Sequence, residues 1–151
     1  MTDGPSASAK AGSSRAQGAA EIELEVPFYE IDPLGIVWHG HYYKYFDRAR
    51  TALLGAHDLD GMRLIETGFK FLVVESNCKH MAPLTYGERM RVSARFGRVT
   101  HRVEILFEVT SLSTGKRVAK GRTDLATVDE QGQLRLRTPA TILERIEQRT
   151  P

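Results

Sequence analysis

From residue 21 to residue 28 apolar and polar side chains alternate, with Ile22, Leu24, Val26 and Phe28 on one side and Glu21, Glu23 and Glu25 on the other. A period of two puts successive side chains on opposite faces of a strand, so this stretch predicts a half-buried strand. Pro27, on the outward face, points to an edge or strand-end position. The period then changes. Tyr42, Tyr45, Phe46, Ala49 and Leu53 recur at i, i+3, i+4, i+7 and i+11, one face of a helix over about residues 40–54, with Lys44, Asp47, Arg48 and Thr51 opposite and Gly55 as its stop. Asp58 is placed to cap a short second helix over about 59–66, ending at Gly68.

The following stretch is strand-like. Residues 69–79 form one run, broken by Pro83 and Tyr86-Gly87; Met90, Val92, Ala94 and Phe96 then alternate with Arg89, Arg91, Ser93 and Arg95. A third strand over 102–112 turns Val103, Ile105, Phe107 and Val109 inward, and Ser113-Thr114-Gly115-Lys116 makes a hairpin into a fourth over 117–128. After a turn at 129–132 comes a short strand at 133–136. Thr138-Pro139 opens a terminal helix, proline at its first position and Leu143 and Ile146 as apolar contacts. One long helix followed by grouped strands indicates α+β with the helix packed on one face of an antiparallel sheet, not a parallel βαβ fold. A helix of about fifteen residues, about 22 Å long, can be wrapped by one curved sheet.

Residues 1–20, mostly Ala, Gly and Ser, have almost nothing to bury and are expected to be a disordered tail, leaving residues 21–151 as one domain. A formal charge of +2 gives no argument for nucleic acid. The single cysteine, Cys78, excludes an internal disulfide, no apolar run reaches the ~20 residues of a membrane span, and the first twenty residues lack the apolar core of a signal peptide, so the expected location is cytoplasmic.

Candidate chemistry concentrates between the first strand and the long helix. Asp32 precedes His39 by seven residues, Pro33 and Gly35 mark a turn between them, and the helix begins directly after. Asp32-Pro33-x-Gly35-Ile36-Val37, His39-x-x-Tyr42 and Phe46-Asp47-x-Ala49-Arg50 together resemble the signature of the 4-hydroxybenzoyl-CoA and short-chain acyl-CoA thioesterases of the hotdog fold; the likeness continues more weakly through Pro83 and Gly87-Glu88 to about Val128. The resemblance implies a five- or six-stranded antiparallel sheet wrapped round one long helix, assembly as a homodimer or homotetramer with sites at the dimer interface, and no metal or cofactor. It also implies that Asp32 is the catalytic carboxylate. Histidine at position 39 resembles the acyl-CoA branch more than the 4-hydroxybenzoyl branch.

Elementary chemistry supports these roles. Unpaired N–H groups at a helix start stabilise the charge that develops on an attacked thioester carbonyl, and Gly40, His41 and Tyr42 offer such donors. A carboxylate near that positive helix end is favoured in its ionised form, so Asp32 is placed to act as general base on water or as nucleophile on the carbonyl. His39 can orient Asp32 or the carbonyl, or assist the leaving thiolate. Set against this, Asp32 alone also fits an ordinary turn residue, His39 a cap, and His41 a structural group. Cys78 and His80 share a strand face and are expected to pack, Asp47 and Arg50 to pair on the helix surface, and Tyr42, Tyr45 and Phe46 to form core and pocket wall. Arg98, His101 and Arg102, at a bend between strands, match the nucleotide side of the family's site and are candidates for the coenzyme A phosphates; a solvated arginine-rich turn is the plainer reading. The sequence therefore predicts an acyl-CoA thioesterase, with an acyl-carrier-protein thioesterase and a non-enzymatic acyl-CoA-binding module as alternatives.

Overall fold

The computed structural model describes residues 18–148, so most of the expected tail lies outside it. Six antiparallel strands form one sheet: β1 (Ala20–Glu25), β2 (Lys70–His80), β3 (Arg89–Phe96), β4 (Val103–Ser111), β5 (Arg117–Val128) and β6 (Leu134–Arg135). Their spatial order is β1-β3-β4-β5-β2, with the short β6 paired to the end of β5. The long helix α1 (Tyr42–Ala56) packs on β1, β3 and β4, and α2 (Gly61–Glu66) and α3 (Ala140–Gln148) complete the fold. This is the α+β hotdog architecture, a curved antiparallel sheet folded round one long helix.

The alternating strands bury the faces their pattern indicates. Ile22, Val92, Val109 and Ala119 stand in register across β1, β3, β4 and β5, all buried, as do Ala20, Ala94 and Phe107 in the next core row, which ends at Gly121. Phe46 of α1 stacks flat on Phe107, centroids 4.5 Å apart and planes 6° from parallel. Gly121 makes this approach possible, because a Cβ there would lie 2.4 Å from the Phe46 ring and 2.4 Å from the carbonyl oxygen of Asn77.

Several expectations need correcting. Phe28 does not face the core. Pro27 cannot donate to the ladder, β1 ends at Glu25, and a 3-10 turn over Phe28–Glu30 leaves Phe28 73% exposed with its ring edge against Tyr86. Asp58 does not cap α2. It takes a left-handed conformation, φ 57°, in the turn after α1 and pairs with Arg63, and Asp60 precedes the helix instead. In α3, Ile142 is the fully buried contact beside Ile146, while Leu143 is half-buried, and Pro139 lies just outside the helix. That helix is held by His57, almost fully buried, whose Nδ1–H donates to the carbonyl of Arg145 at 3.0 Å; a carbonyl only accepts, which fixes the tautomer.

β2 differs from every other long strand. It is one of the two sheet edges, opposite β1, its eleven residues are exposed or half-buried throughout, and Leu72, Val73 and Val74 present apolar surface around a register shift between Val73 and Glu75.

Candidate active site

The turn carrying Asp32 is closed by main-chain hydrogen bonds. The Asp32 N–H donates to Ile36 O (2.8 Å), the Gly35 N–H donates to Asp32 O (2.9 Å), and Ile31 and Val37 form an isolated bridge at its neck. Gly35 has φ +85°, a conformation that costs glycine little. The loop is pinned from outside as well, the Val37 N–H donating to the carbonyl of the fully buried Leu84 at 2.9 Å and the Trp38 N–H to Glu30 O at 3.1 Å. One carboxylate oxygen of Asp32 accepts the Leu34 N–H at 2.8 Å.

The chain enters α1 through a 3-10 turn, His39–His41. Within it the His41 N–H donates to Trp38 O and the Tyr42 N–H to His39 O, whereas among the described residues the Gly40 N–H has no acceptor. Trp38 lies directly against Gly40, its ring 2.2–2.8 Å from where a Cβ would be, and rests on the imidazoles of His39 and His41 at 5.1 and 5.3 Å between centroids. Residue 40 must therefore lack a side chain if the tryptophan is to sit there.

Asp32, His39 and Tyr42 line one open pocket of about 440 Å³, together with Leu34, Ile36, Met81 and Pro83. His80, at the end of β2, completes its wall, with its ring 4.7 Å from Tyr42 and 6.2 Å from His39. Burial, and then the neighbouring His39, hold His80 below the usual histidine range. Burial pushes the Tyr42 hydroxyl up to about 12, helped by Cys78 and Glu88, so it is a neutral phenol. Cys78, 4.0 Å from His80 Nδ1, is pushed up to about 11 by burial and stays a thiol at neutral pH, which argues against a nucleophilic pair. Among the described residues no group of three or more His, Cys, Asp or Glu is placed to hold a metal ion.

Arg98, His101 and Arg102 gather around a separate surface pocket of about 480 Å³, with Arg122 and Asp124. The Arg102 guanidinium is shared between Glu75 at 3.5 Å and Asp124 at 3.6 Å. Ala119 pairs with His80 and Asp124 lies beside Arg102, so five residues of β5, about 17 Å at ~3.4 Å per residue, separate the two pockets along the strand. Asp47 and Arg50 pair on the helix surface at 3.4 Å.

Two residues of this region were not assigned to the site by sequence. His80 shows only as the third of Ser76, Cys78 and His80 on one face of β2. Glu30 is 7% exposed, and the alternation of β1 does not foretell it, because Phe28, at the same parity beyond the end of the strand, is 73% exposed.

Residues 26–146 match the thioesterase-like superfamily. The chain belongs to this superfamily. It is 31% identical over 67 residues to a putative esterase of Aquifex aeolicus, a match covering 44% of this chain and 52% of that one. A chloroplastic acyl-acyl carrier protein thioesterase of Arabidopsis thaliana is 31% identical over 97 residues, 64% of this chain and 51% of that one. The matches thus span about half the length of these two relatives. Among solved structures, a 1,4-dihydroxy-2-naphthoyl-CoA thioesterase from Synechocystis superposes with a TM-score of 0.74 at 18% identity, covering 85% of this chain and 95% of that one, which is a likeness of fold. Among the described residues no helix is long and apolar enough to cross a membrane.

Proposed function

We propose that the protein is a cytoplasmic acyl-CoA thioesterase in which Asp32 is the catalytic carboxylate and the start of α1 receives the oxyanion. The observation that carries this reading is the convergence of Asp32, His39 and Tyr42 on one pocket at the start of α1, in a chain of the thioesterase-like superfamily; Gly40, whose N–H has no acceptor among the described residues, directly follows His39. Asp32 takes a proton from water as the oxygen adds to the carbonyl carbon; the carbonyl electron pair moves to oxygen, where the Gly40 N–H stabilises it. Collapse breaks the C–S bond, the electron pair leaves on sulfur, and the proton returns from Asp32 to give free acid and thiol. In the nucleophilic variant the Asp32 carboxylate adds to the carbonyl carbon, the C–S bond breaks with the electron pair leaving on sulfur, and water opens the resulting mixed anhydride to give free acid and the Asp32 carboxylate, its released proton going to the thiolate. His39 and the neutral Tyr42 phenol orient the thioester, and His41 shapes the turn through Trp38.

A second copy of the chain is proposed to pair along β2. An eleven-residue edge strand with three exposed aliphatic side chains is a template for another strand, and His80 and Met81 at its end would bring the partner to the pocket rim. A short-chain or aromatic acyl group suits a pocket of this size.

The decisive experiment is a free-thiol release assay over aromatic, short-chain and long-chain acyl-CoAs with Asp32→Asn alongside. Release is expected with at least one class, and a loss of ~10²-fold or more in the variant; equal turnover by Asp32→Asn would remove the assignment. A carrier-protein thioester is the second reading, favoured by the ion pairs that already occupy Arg102. If Arg98, His101 and Arg102 hold the nucleotide phosphates, Arg102→Ala raises KM for acyl-CoA but not for a truncated pantetheine thioester, and equal effects would favour the carrier.

A further inference from the structure

We propose that Glu30 and Tyr45 form a clamp that holds the Asp32 turn in register with the first turns of α1, making both positioning residues for the reaction. The inference rests on the thioesterase reading above and adds to it the device that sets the distance between carboxylate and oxyanion site.

Glu30 reaches both parts at once. Its carbonyl accepts the Trp38 N–H at 3.1 Å, closing the neck of the loop that carries Asp32 two residues further on. Its side chain reaches across to α1, where Oε1 accepts the Tyr45 O–H at 2.5 Å and Oε2 lies 3.3 Å from Lys44 Nζ. Tyr45 is buried one turn into the helix, its ring 5.5 Å from that of Tyr42, which lines the pocket. The chain from Trp38 through Gly40 to Tyr42 is therefore spanned by one side-chain bridge, with Asp32 on one side and the Gly40 N–H on the other.

A buried carboxylate is costly unless it is hydrogen-bonded and paired, and here the phenol and the ammonium together meet that need. Burial, and then the hydrogen bond to Glu30, raise the Tyr45 hydroxyl far above the usual phenol range, so it remains a donor whatever the working pH. If the pair served stability alone, a leucine or phenylalanine contact would fill the space at lower cost. What the polar pair adds is direction: a hydrogen bond between two backbone segments that must face one substrate. A displacement of 1 Å at a reacting group can cost ~10²-fold in rate.

The test is a double-mutant cycle on the full chain, read as kcat and KM for whichever acyl-CoA wild type hydrolyses, with a melting curve for each variant. Tyr45→Phe is expected to lower kcat ~10-fold or more with KM changed less than ~2-fold, and Glu30→Gln, which keeps an acceptor for Tyr45, to retain kcat within ~3-fold. In the Asp32→Asn background Tyr45→Phe should cost less than ~2-fold further, because there is no longer a carboxylate to position. A folded Tyr45→Phe with wild-type kcat, or a loss of the same size in the Asp32→Asn background, would overturn the clamp while leaving the thioesterase reading intact. Wild-type protein inactive on every thioester would overturn that reading and the clamp's role with it.

Discussion

Replacing Gly121 by alanine sets two physical expectations against each other. Glycine inside a strand normally weakens it, and Gly→Ala at an unstrained position stabilises by ~0.4–1 kcal/mol through the unfolded chain. Here the new methyl would stand 2.4 Å from the ring of Phe46 and 2.4 Å from the carbonyl oxygen of Asn77. Phe46 can yield only by leaving its stack on Phe107, and the Asn77 carbonyl only by bending β2 away from β5. Overpacking of this kind costs ~1–3 kcal/mol, and a backbone obstacle puts the site in the upper half of that range. Subtracting the unfolded-state gain leaves a net loss of ~1–2.5 kcal/mol. At ~3–5 °C per kcal/mol for a domain of this size, the melting temperature should fall by ~3–12 °C. Circular dichroism melts and urea titrations check this. Adding Phe46→Leu should recover part of the loss and no more, since the Asn77 contact remains. Gly121→Ala melting at or above wild type would refute the argument that this glycine exists to admit the helix.

Two further outcomes follow from other parts of the structure. Glu88 accepts from Ser111 Oγ at 2.5 Å and from the Thr85 N–H at 2.9 Å; burial works against its charge, but these bonds outweigh burial and hold its carboxyl below the usual range. Its stabilising effect is thus complete above the ordinary carboxylate pKa and lost as pH falls through the depressed value, so the melting-temperature gap between wild type and Glu88→Gln should be widest at neutral pH and shrink in acid. A gap independent of pH would contradict this. Val73→Lys places a charge in the exposed apolar stretch of β2 and should convert a sedimenting dimer to monomer; a wild-type monomer at tens of micromolar would remove the edge-pairing proposal.

Where period and burial coincide, as in β1, β3, β4, β5 and the buried stripe of α1, the fold was legible because each element has one face to hide. That Asp32, His39 and Tyr42 share one pocket could be expected for a different reason: they lie within a dozen residues of one another, on a turn with its own punctuation. His80 and Glu30 were hidden because their partners are distant or act across a change of backbone direction. β2 pairing carries His80 to the pocket from 41 residues beyond His39, and the 3-10 turn after Pro27 reverses which side Phe28 presents while Glu30 stays buried. Gly121 carries no sequence signal of its own, because its need arises only when Phe46 is laid over it.

The strand order β1-β3-β4-β5-β2 also fixes a sequence of events at the ribosome. β3, β4 and β5 are joined by successive antiparallel pairings and can zip up as they emerge, but β1 must wait for β3, and β2 for β5, whose Val128 pairs with Lys70. At ~5–20 residues per second, the ~100 residues between β1 and the end of β5 take ~5–20 s to appear. Until β3 and β4 have emerged the apolar stripe of Tyr42, Phe46 and Leu53 has no sheet to cover it, and chains stalled before residue 103 should be sensitive to protease. The N-terminal half, which holds the candidate catalytic turn, is thus made first and must wait for strands of the C-terminal half before its apolar face is covered.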